Sequence, residues 1–335
     1  MSQPSTAAPF GLPTVDDALA ASLARGLGEV EEQLRTAVRS EDAFVTEASR
    51  HLVDAGGKRF RATLVLLASH FGDPTAAEIV PAAVVVELTH LATLYHDDVM
   101  DEAALRRGEA SANSRWDNTV AILTGDLLFA RASDVVAGLG PEAVRIQART
   151  FSRLVHGQIQ ETVGPRSGDD RLQHYMEVVA DKTASLIATS GRFGAMFGRS
   201  DAATVDIVTR ACEAIGIAFQ LSDDILDIAS ETADSGKTPG TDLREGVLTL
   251  PMLHALRSTD PAGARLRELL ETDLTDDARH AEALRLLRAD AAMATARADL
   301  RRWAATARDE ILKLAPSPAR DAFTALCDFV VERTG

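Results

Sequence analysis

Two apolar runs in this chain, residues 80–95 and 214–221, each lead into the same knot of carboxylates. The first is Asp97-Asp98-Val99-Met100-Asp101 and the second is Asp223-Asp224-Ile225-Leu226-Asp227. At about 100° per residue, Asp97 and Asp101 share one helix face a turn apart, with Asp98 turned aside. No Lys or Arg stands between them. A hard divalent cation wants oxygens presented in this way, and Mg2+ takes one or two carboxylates and completes its shell with water and substrate phosphates. Like charges at that spacing cost only ~0.2–0.5 kcal/mol on a solvated helix, so a single cluster would suit an ordinary surface. Two copies, each closing a buried-looking helix, read instead as halves of one polynuclear metal site.

The periodicity around these clusters predicts an all-α chain. Residues 1–13 carry Pro4, Pro9 and Pro13 among Ser, Thr and Ala and read as a flexible arm, leaving 14–335 as one helical domain. Leu19, Leu23, Leu27, Val30, Leu34 and Val38 recur at a 3–4 spacing and predict a helix over 15–39; others are expected over 43–54, 60–71, 119–137, 143–163 and from 172 onward. The helix bearing the first cluster is expected to begin after Pro81, and residues 109–118 read as a polar link. From about 277 the pattern is amphipathic helix broken at Pro316 and Pro318, without a catalytic constellation.

Charge and composition exclude several classes. A net charge of −15 argues against a nucleic-acid surface. Aromatics make up only 4% of the chain, so the helix-favouring Ala and Leu dominate its apolar set. Cys212 and Cys327 lie among apolar neighbours with no short spacing between them, which fits a reducing compartment, so a cytoplasmic location is expected. No stretch reaches 18 uninterrupted apolar residues and no basic-then-apolar leader opens the chain, so a soluble protein is expected.

The basic residues fall in short groups. Gly56-Gly57-Lys58-Arg59-Phe60-Arg61 places two glycines and three cations at the start of a helix, the composition of a diphosphate-binding corner; alone it would better describe a glycine C-cap followed by solvated cations, and its strength comes from the motifs around it. His90 lies two turns before Asp97 on the same face, where a phosphate contact outweighs the usual reading of a core histidine. Arg106-Arg107-Gly108 follows the first cluster. Lys182-Thr183 sits in an otherwise apolar stretch as a candidate inward cation, with snorkelling to solvent as the ordinary alternative. Phe219-Gln220 precedes the second cluster, and Lys237 lies in a polar loop that ends before Thr249-Leu250-Pro251.

This ordered series, from Gly56-Gly57-Lys58-Arg59-x-Arg61 to Thr249-Leu250-Pro251, resembles the trans-isoprenyl diphosphate synthases, or polyprenyl synthetases. The resemblance implies an isoprenoid-synthase-type helical bundle around a central cavity, usually a homodimer, with the two acidic clusters facing each other. It implies that Asp97, Asp101 and Asp223, with Asp98, Asp224 and Asp227 in supporting positions, hold several Mg2+ ions that bridge an allylic diphosphate. Arg106, Lys182 and Lys237 would contact that diphosphate, while Lys58, Arg59, Arg61, His90 and Arg107 would bind isopentenyl diphosphate. Thr183 and Gln220 would lie near the developing allylic cation. No nucleic acid is implied, and a transient membrane contact would serve product release.

Three residues depart from the family pattern: Ala62 in place of proline, Val247 in place of lysine and Gln158 in place of glutamate. Product length is read from the residues behind the first cluster. Members that stop at fifteen carbons tend to carry a bulky side chain at the position of Ala92 or Thr93. Both are small here, which leaves a path of ~18 Å back to Val85 at 1.5 Å per residue. A product longer than fifteen carbons is expected, with geranylgeranyl diphosphate as the alternative and Phe129 as another candidate floor. A terpene cyclase would need no isopentenyl diphosphate corner, and a non-catalytic subunit of a heteromeric synthase could lose the aspartates, so both stand behind the synthase.

Overall fold

The computed structural model describes residues 16–230 and 239–334; the expected arm at 1–13 and Lys237 lie outside the described residues. Helices make up almost all of the regular structure. In order they are α1 Asp17–Ala37, α2 Ala43–Asp54, α3 Phe60–Ser69, α4 Ile79–Met100, α5 Ala112–Arg115, α6 Asn118–Ala137, α7 Pro141–Val163, α8 Arg171–Val178, α9 Ser185–Phe197, α10 Ala202–Ala229, α11 Thr241–Glu245, α12 Leu250–Arg257, α13 Ala264–Leu270, α14 Asp277–Ala289, α15 Ala291–Ile311 and α16 Pro318–Glu332. A π-helical turn, Val179–Ala184, joins α8 to α9.

Several helices begin where an aspartate replaces the missing backbone acceptor. Asp16 accepts from the Leu19 N–H at 2.8 Å, Asp42 from Phe44 at 2.8 Å, and Asp117 from Val120 at 2.8 Å. Each such cap contributes ~1 kcal/mol, so part of the chain's excess of acid serves to start helices. α4 starts two residues before Pro81, not after it, because proline is tolerated in a first turn whose N–H groups have no intrahelical partner.

The chain packs into two compact units. Of the described residues, the first comprises 16–152, 186–212 and 311–323; the second comprises 153–185, 213–230, 239–310 and 324–334. In the first unit α4 is the central element, packed most extensively on α6 and flanked by α3 and α1. By length and composition α4 could cross a membrane, but Val84, Val85, Val86, Leu88 and Leu91 are each no more than 1% exposed within the unit. Tyr95 ties this helix to α2: its hydroxyl donates to the Ala48 carbonyl at 2.5 Å and accepts from the Leu52 N–H at 3.3 Å. In the second unit α12 packs against α8, α13 and α14.

The expected polar link at 109–118 contains regular structure. Leu105–Arg106 and Glu109–Ala110 pair antiparallel, with Leu105 opposite Ala110. Arg107 and Gly108 form the two-residue loop, with φ of 55° and 83°. A loop with both central residues at positive φ matches the twist of the strands it joins, which explains the glycine. Strands of two residues have no periodicity, so no hydropathy pattern marks them.

Arg59 is the buried cation of the first unit. It adopts φ 48° at the start of α3 and is 6% exposed. Its Nε donates to Glu31 at 2.5 Å, one Nη donates to the Val53 carbonyl at 2.9 Å, and the other lies 3.8 Å from Glu87. Removing one partner of a buried pair strands the other charge and costs about 3–5 kcal/mol. Arg59→Ala is expected to lower the unfolding free energy by about 3 kcal/mol, read as a shift in the urea midpoint.

Candidate active site

Within the first unit, the last turn of α4 and its C-cap carry Asp97, Asp98 and Asp101. Asp98 is completely buried, not merely turned aside: Arg106 donates its Nε–H to Asp98 Oδ1 at 2.5 Å. Its Oδ2 is buried without a hydrogen-bond partner, and burial pushes the carboxyl pKa upward against the pull of Arg106. Asp101 is exposed, with Arg106 3.9 Å from its carboxylate, and Asp97 is half-buried. The short hairpin therefore delivers Arg106 to the cluster as a strut between two of its carboxylates.

The basic corner packs beside this cluster. Gly57 has φ 139°, and a Cβ there would sit 2.9 Å from the Arg107 guanidinium carbon, so glycine is what lets Arg107 lie against the backbone. Arg107 donates to the Leu52 carbonyl at 2.8 Å and to the Gly56 carbonyl, which closes the C-terminal end of α2. Arg61 is pushed down to about 10 by burial, partly offset by Glu87, and its Nε is buried without a hydrogen-bond partner. Burial first, then Arg61 and Arg107, hold the His90 pKa well below the usual imidazole range, so its ring is neutral near pH 7. Lys58 is exposed. Ala62 donates its N–H to Glu87 at 3.0 Å, a bond the expected proline could not make.

The second cluster, in the second unit, is built around Asp224, which is 3% exposed. Gln220 Nε2 donates to one of its oxygens at 3.0 Å; the Tyr175 hydroxyl and the Leu250 N–H at 3.3 Å donate to the other. Gln220 Oε1 in turn accepts from the Thr183 hydroxyl at 3.1 Å. Burial raises the Asp224 pKa and these donors lower it; burial and the neighbouring carboxylate raise that of Tyr175 well above its ordinary value, so the phenol keeps the proton it donates. Asp227 accepts from the N–H groups of Thr241 at 3.1 Å and Asp242 at 3.3 Å, and so anchors α11.

Lys182 and Thr183 ride on the π-helical turn, a deviation that frequently marks functional positions in helices. Gly157 of α7 lies against it so closely that a Cβ there would be 2.6 Å from the Lys182 nitrogen. Lys182 does not snorkel away but pairs with Glu161, and Arg153 holds Asp181 at 2.8 Å. Lys182, Thr183, Gln220, Asp224 and Tyr175 line a cavity of about 840 Å³ in this unit, together with Val247.

Comparison with known proteins places these motifs in a lineage. The polyprenyl synthetase family pattern matches residues 42–287. The chain belongs to that family. It is 49% identical over 326 residues to the nonaprenyl diphosphate synthase of Mycobacterium tuberculosis, covering 97% of each chain, and 40% identical to a dimethylallyltranstransferase of the same organism, covering 94% of this chain and 96% of that one. Its fold matches the geranylgeranyl pyrophosphate synthase of Corynebacterium glutamicum complexed with calcium and isoprenyl diphosphate at TM-score 0.88 and 45% identity, covering 96% and 99% of the two chains. A decaprenyl diphosphate synthase of Rhodobacter capsulatus matches at TM-score 0.85 and 33% identity, covering 95% and 99%.

The residues of this polyprenyl synthetase fit a divalent cation. Asp97 and Asp101 offer hard oxygens at the end of a helix whose last turn has no basic residue. Among the described residues no three His, Cys, Asp or Glu side chains enclose a metal by themselves, so water and substrate oxygens would complete its shell. Arg59 departs from the expectation of a substrate cation, because Glu31, Val53 and Glu87 engage its guanidinium in the interior.

One functional group escaped the sequence reading altogether. Arg333, just past the end of α16, pairs with Asp223, and its guanidinium lies 4.7 Å from the Phe219 ring centroid. Burial lowers its pKa, yet an arginine stays charged near pH 7. The tail read as devoid of chemistry thus places a cation on an expected metal ligand. No local signal could reveal a pair separated by 110 positions. A partly exposed pair is worth about 0.2–1 kcal/mol, so Arg333→Ala is expected to lower the Mg2+ concentration needed for half-saturation by about 1.4- to fivefold, measured by calorimetry with inorganic pyrophosphate present.

Proposed function

We propose that this chain is an all-trans polyprenyl diphosphate synthase, which joins isopentenyl diphosphate head-to-tail to an allylic diphosphate and makes a product longer than fifteen carbons. The observation that carries this reading is the 49% identity across 97% of the chain to a nonaprenyl diphosphate synthase, with both acidic clusters and both basic groups present. An allylic diphosphate ionises only when the departing charge is stabilised where it develops. Mg2+ held by Asp97, Asp101 and Asp223 would supply most of that stabilisation. Lys182 and Arg106, with Lys237, neutralise the rest of the leaving group. Lys58, Arg61, His90 and Arg107 hold isopentenyl diphosphate, with His90 as a neutral hydrogen-bonding group. The double bond of isopentenyl diphosphate then attacks the allylic cation beside Thr183 and Gln220, and a proton leaves the adduct. No Ser or Cys nucleophile takes part.

Length is read from what stands behind the first cluster. Ala92 is 1% exposed and its carbonyl faces Gly125; Thr93 donates to the His90 carbonyl at 2.8 Å. Phe129 stacks on Phe151 with ring centroids 3.8 Å apart. Deeper in the first unit Gln147 donates to Thr89 at 2.5 Å. No bulky side chain stands at 92 or 93, which favours a product longer than fifteen carbons, and the identity to a nonaprenyl diphosphate synthase favours a longer one than geranylgeranyl diphosphate. We place the enzyme in the cytoplasm, since Cys212 and Cys327 are both buried and neither is joined in a disulfide, and we infer a homodimer able to touch a membrane transiently as it releases an apolar product.

Purified protein incubated with Mg2+, isopentenyl diphosphate and allylic primers of rising length is expected to give products beyond fifteen carbons. Asp97→Asn or Asp223→Asn is expected to reduce turnover by about 100-fold or more. Ala92→Phe is expected to shorten the product; unchanged length would place the floor elsewhere. Cyclised primer without isopentenyl diphosphate would instead identify a cyclase, and silence with every primer a non-catalytic subunit.

A further inference from the structure

Tyr175 has no part in the reaction as set out above, yet it stands in the wall of the second unit's cavity and donates to the buried carboxylate of Asp224. Asp224 accepts on one oxygen from Tyr175 and from the Leu250 N–H at 3.3 Å, and on the other from Gln220 Nε2 at 3.0 Å. An ionised carboxylate has only acceptors, so the Gln220 side chain must turn its NH2 toward Asp224. Its carbonyl oxygen then points the other way, where Thr183 donates to it at 3.1 Å. The sign of the Gln220 dipole in the cavity is therefore set by Asp224, and two of the donors that fix Asp224 in place come from other elements, α8 and α12.

We propose that Tyr175 is a positioning residue for the condensation: its hydrogen bond to Asp224 holds the Gln220 amide with its carbonyl oxygen, and beside it the Thr183 hydroxyl oxygen, toward the developing allylic cation. This rests on the proposed roles of Thr183 and Gln220. A carbonyl oxygen presents the negative end of a dipole to a carbocation, and a reversed amide would present N–H groups and repel it. Without the phenol one Asp224 oxygen keeps only the Leu250 N–H, the carboxylate gains freedom to rotate, and the amide loses its reason to face one way. Neither diphosphate touches Tyr175 in this scheme, so the effect belongs to turnover and not to substrate affinity.

The test is a double-mutant cycle of Tyr175→Phe and Gln220→Leu, with kcat, KM for each diphosphate and the thermal midpoint measured for all four proteins. Tyr175→Phe is expected to lower kcat by about tenfold while both KM values stay within about twofold of wild type. In the Gln220→Leu background the same change is expected to have no further effect on kcat, because the group it positions is gone. Equal kcat losses in both backgrounds, an effect confined to KM, or no effect at all would overturn the proposal. If the Phe variant melts earlier than wild type, Tyr175→His, whose ring N–H can replace the hydroxyl as donor, enters the cycle instead. Its kcat should then stay above that of Gln220→Leu, and a kcat as low as that variant's overturns the proposal. A wild type without prenyl transfer would overturn the proposed function and this inference together, whereas additive losses in an active enzyme overturn the inference alone.

Discussion

Carboxylates crowded at the C-terminal end of a helix oppose one another and also oppose the helix dipole, whose negative end is there. The first acidic cluster occupies that position in α4, and in α10 Asp227 does, with Asp223 and Asp224 one turn further back; neither helix has a basic residue in its last turn. Each unfavourable placement amounts to roughly 0.3–1 kcal/mol at a surface and more where solvent is excluded. Neutral donors offset part of this at Asp224 and Asp227, and cations from outside the helix offset more. Arg106 provides one for the first cluster and Arg333 one for the second, and the proposed divalent metal would add to them. The same constraint explains why a strongly acidic protein can accept two polyanionic substrates.

Within each cluster the three aspartates differ in kind. Asp98 and Asp224, the second of each pair, are buried at 0% and 3% exposure and hold neighbouring elements: Asp98 the hairpin through Arg106, Asp224 the elements α8 and α12 through Tyr175 and Leu250. Asp97, Asp101 and Asp223 keep exposed or half-exposed oxygens. A buried carboxylate engaged by fixed donors is a poor ligand but a good brace, since moving it would strand those donors. The proposed ligands can thus stay accessible while the backbone beneath them is held in place.

Much of this was legible in the residues. The helix over 43–54 is found with those bounds, because Asp42 caps it and glycines follow it. The spacing of the aspartates gave the shared face of Asp97 and Asp101. What could not be read depended on partners distant in sequence. Asp98 was placed to one side by helical geometry, but only Arg106 arriving on the hairpin reveals that it is interior. Arg59 looked like its neighbours Lys58 and Arg61, and its burial is set by Glu31 and Glu87 on other helices. The π-helical turn under Lys182 leaves the apolar spacing almost unchanged, and its one local trace is Gly157, a glycine inside an otherwise good helix.

The division of each cluster into braces and ligands can be measured directly by electron paramagnetic resonance, titrating Mn2+ into the protein with inorganic pyrophosphate and recording the thermal midpoint of each variant. The account predicts that Asp97→Asn and Asp223→Asn each bind fewer ions at an unchanged midpoint, whereas Asp98→Asn and Asp224→Asn melt earlier but keep the wild-type number of ions. The reverse outcome, ions lost at an unchanged midpoint from Asp98→Asn and Asp224→Asn and kept by the other two, would contradict it.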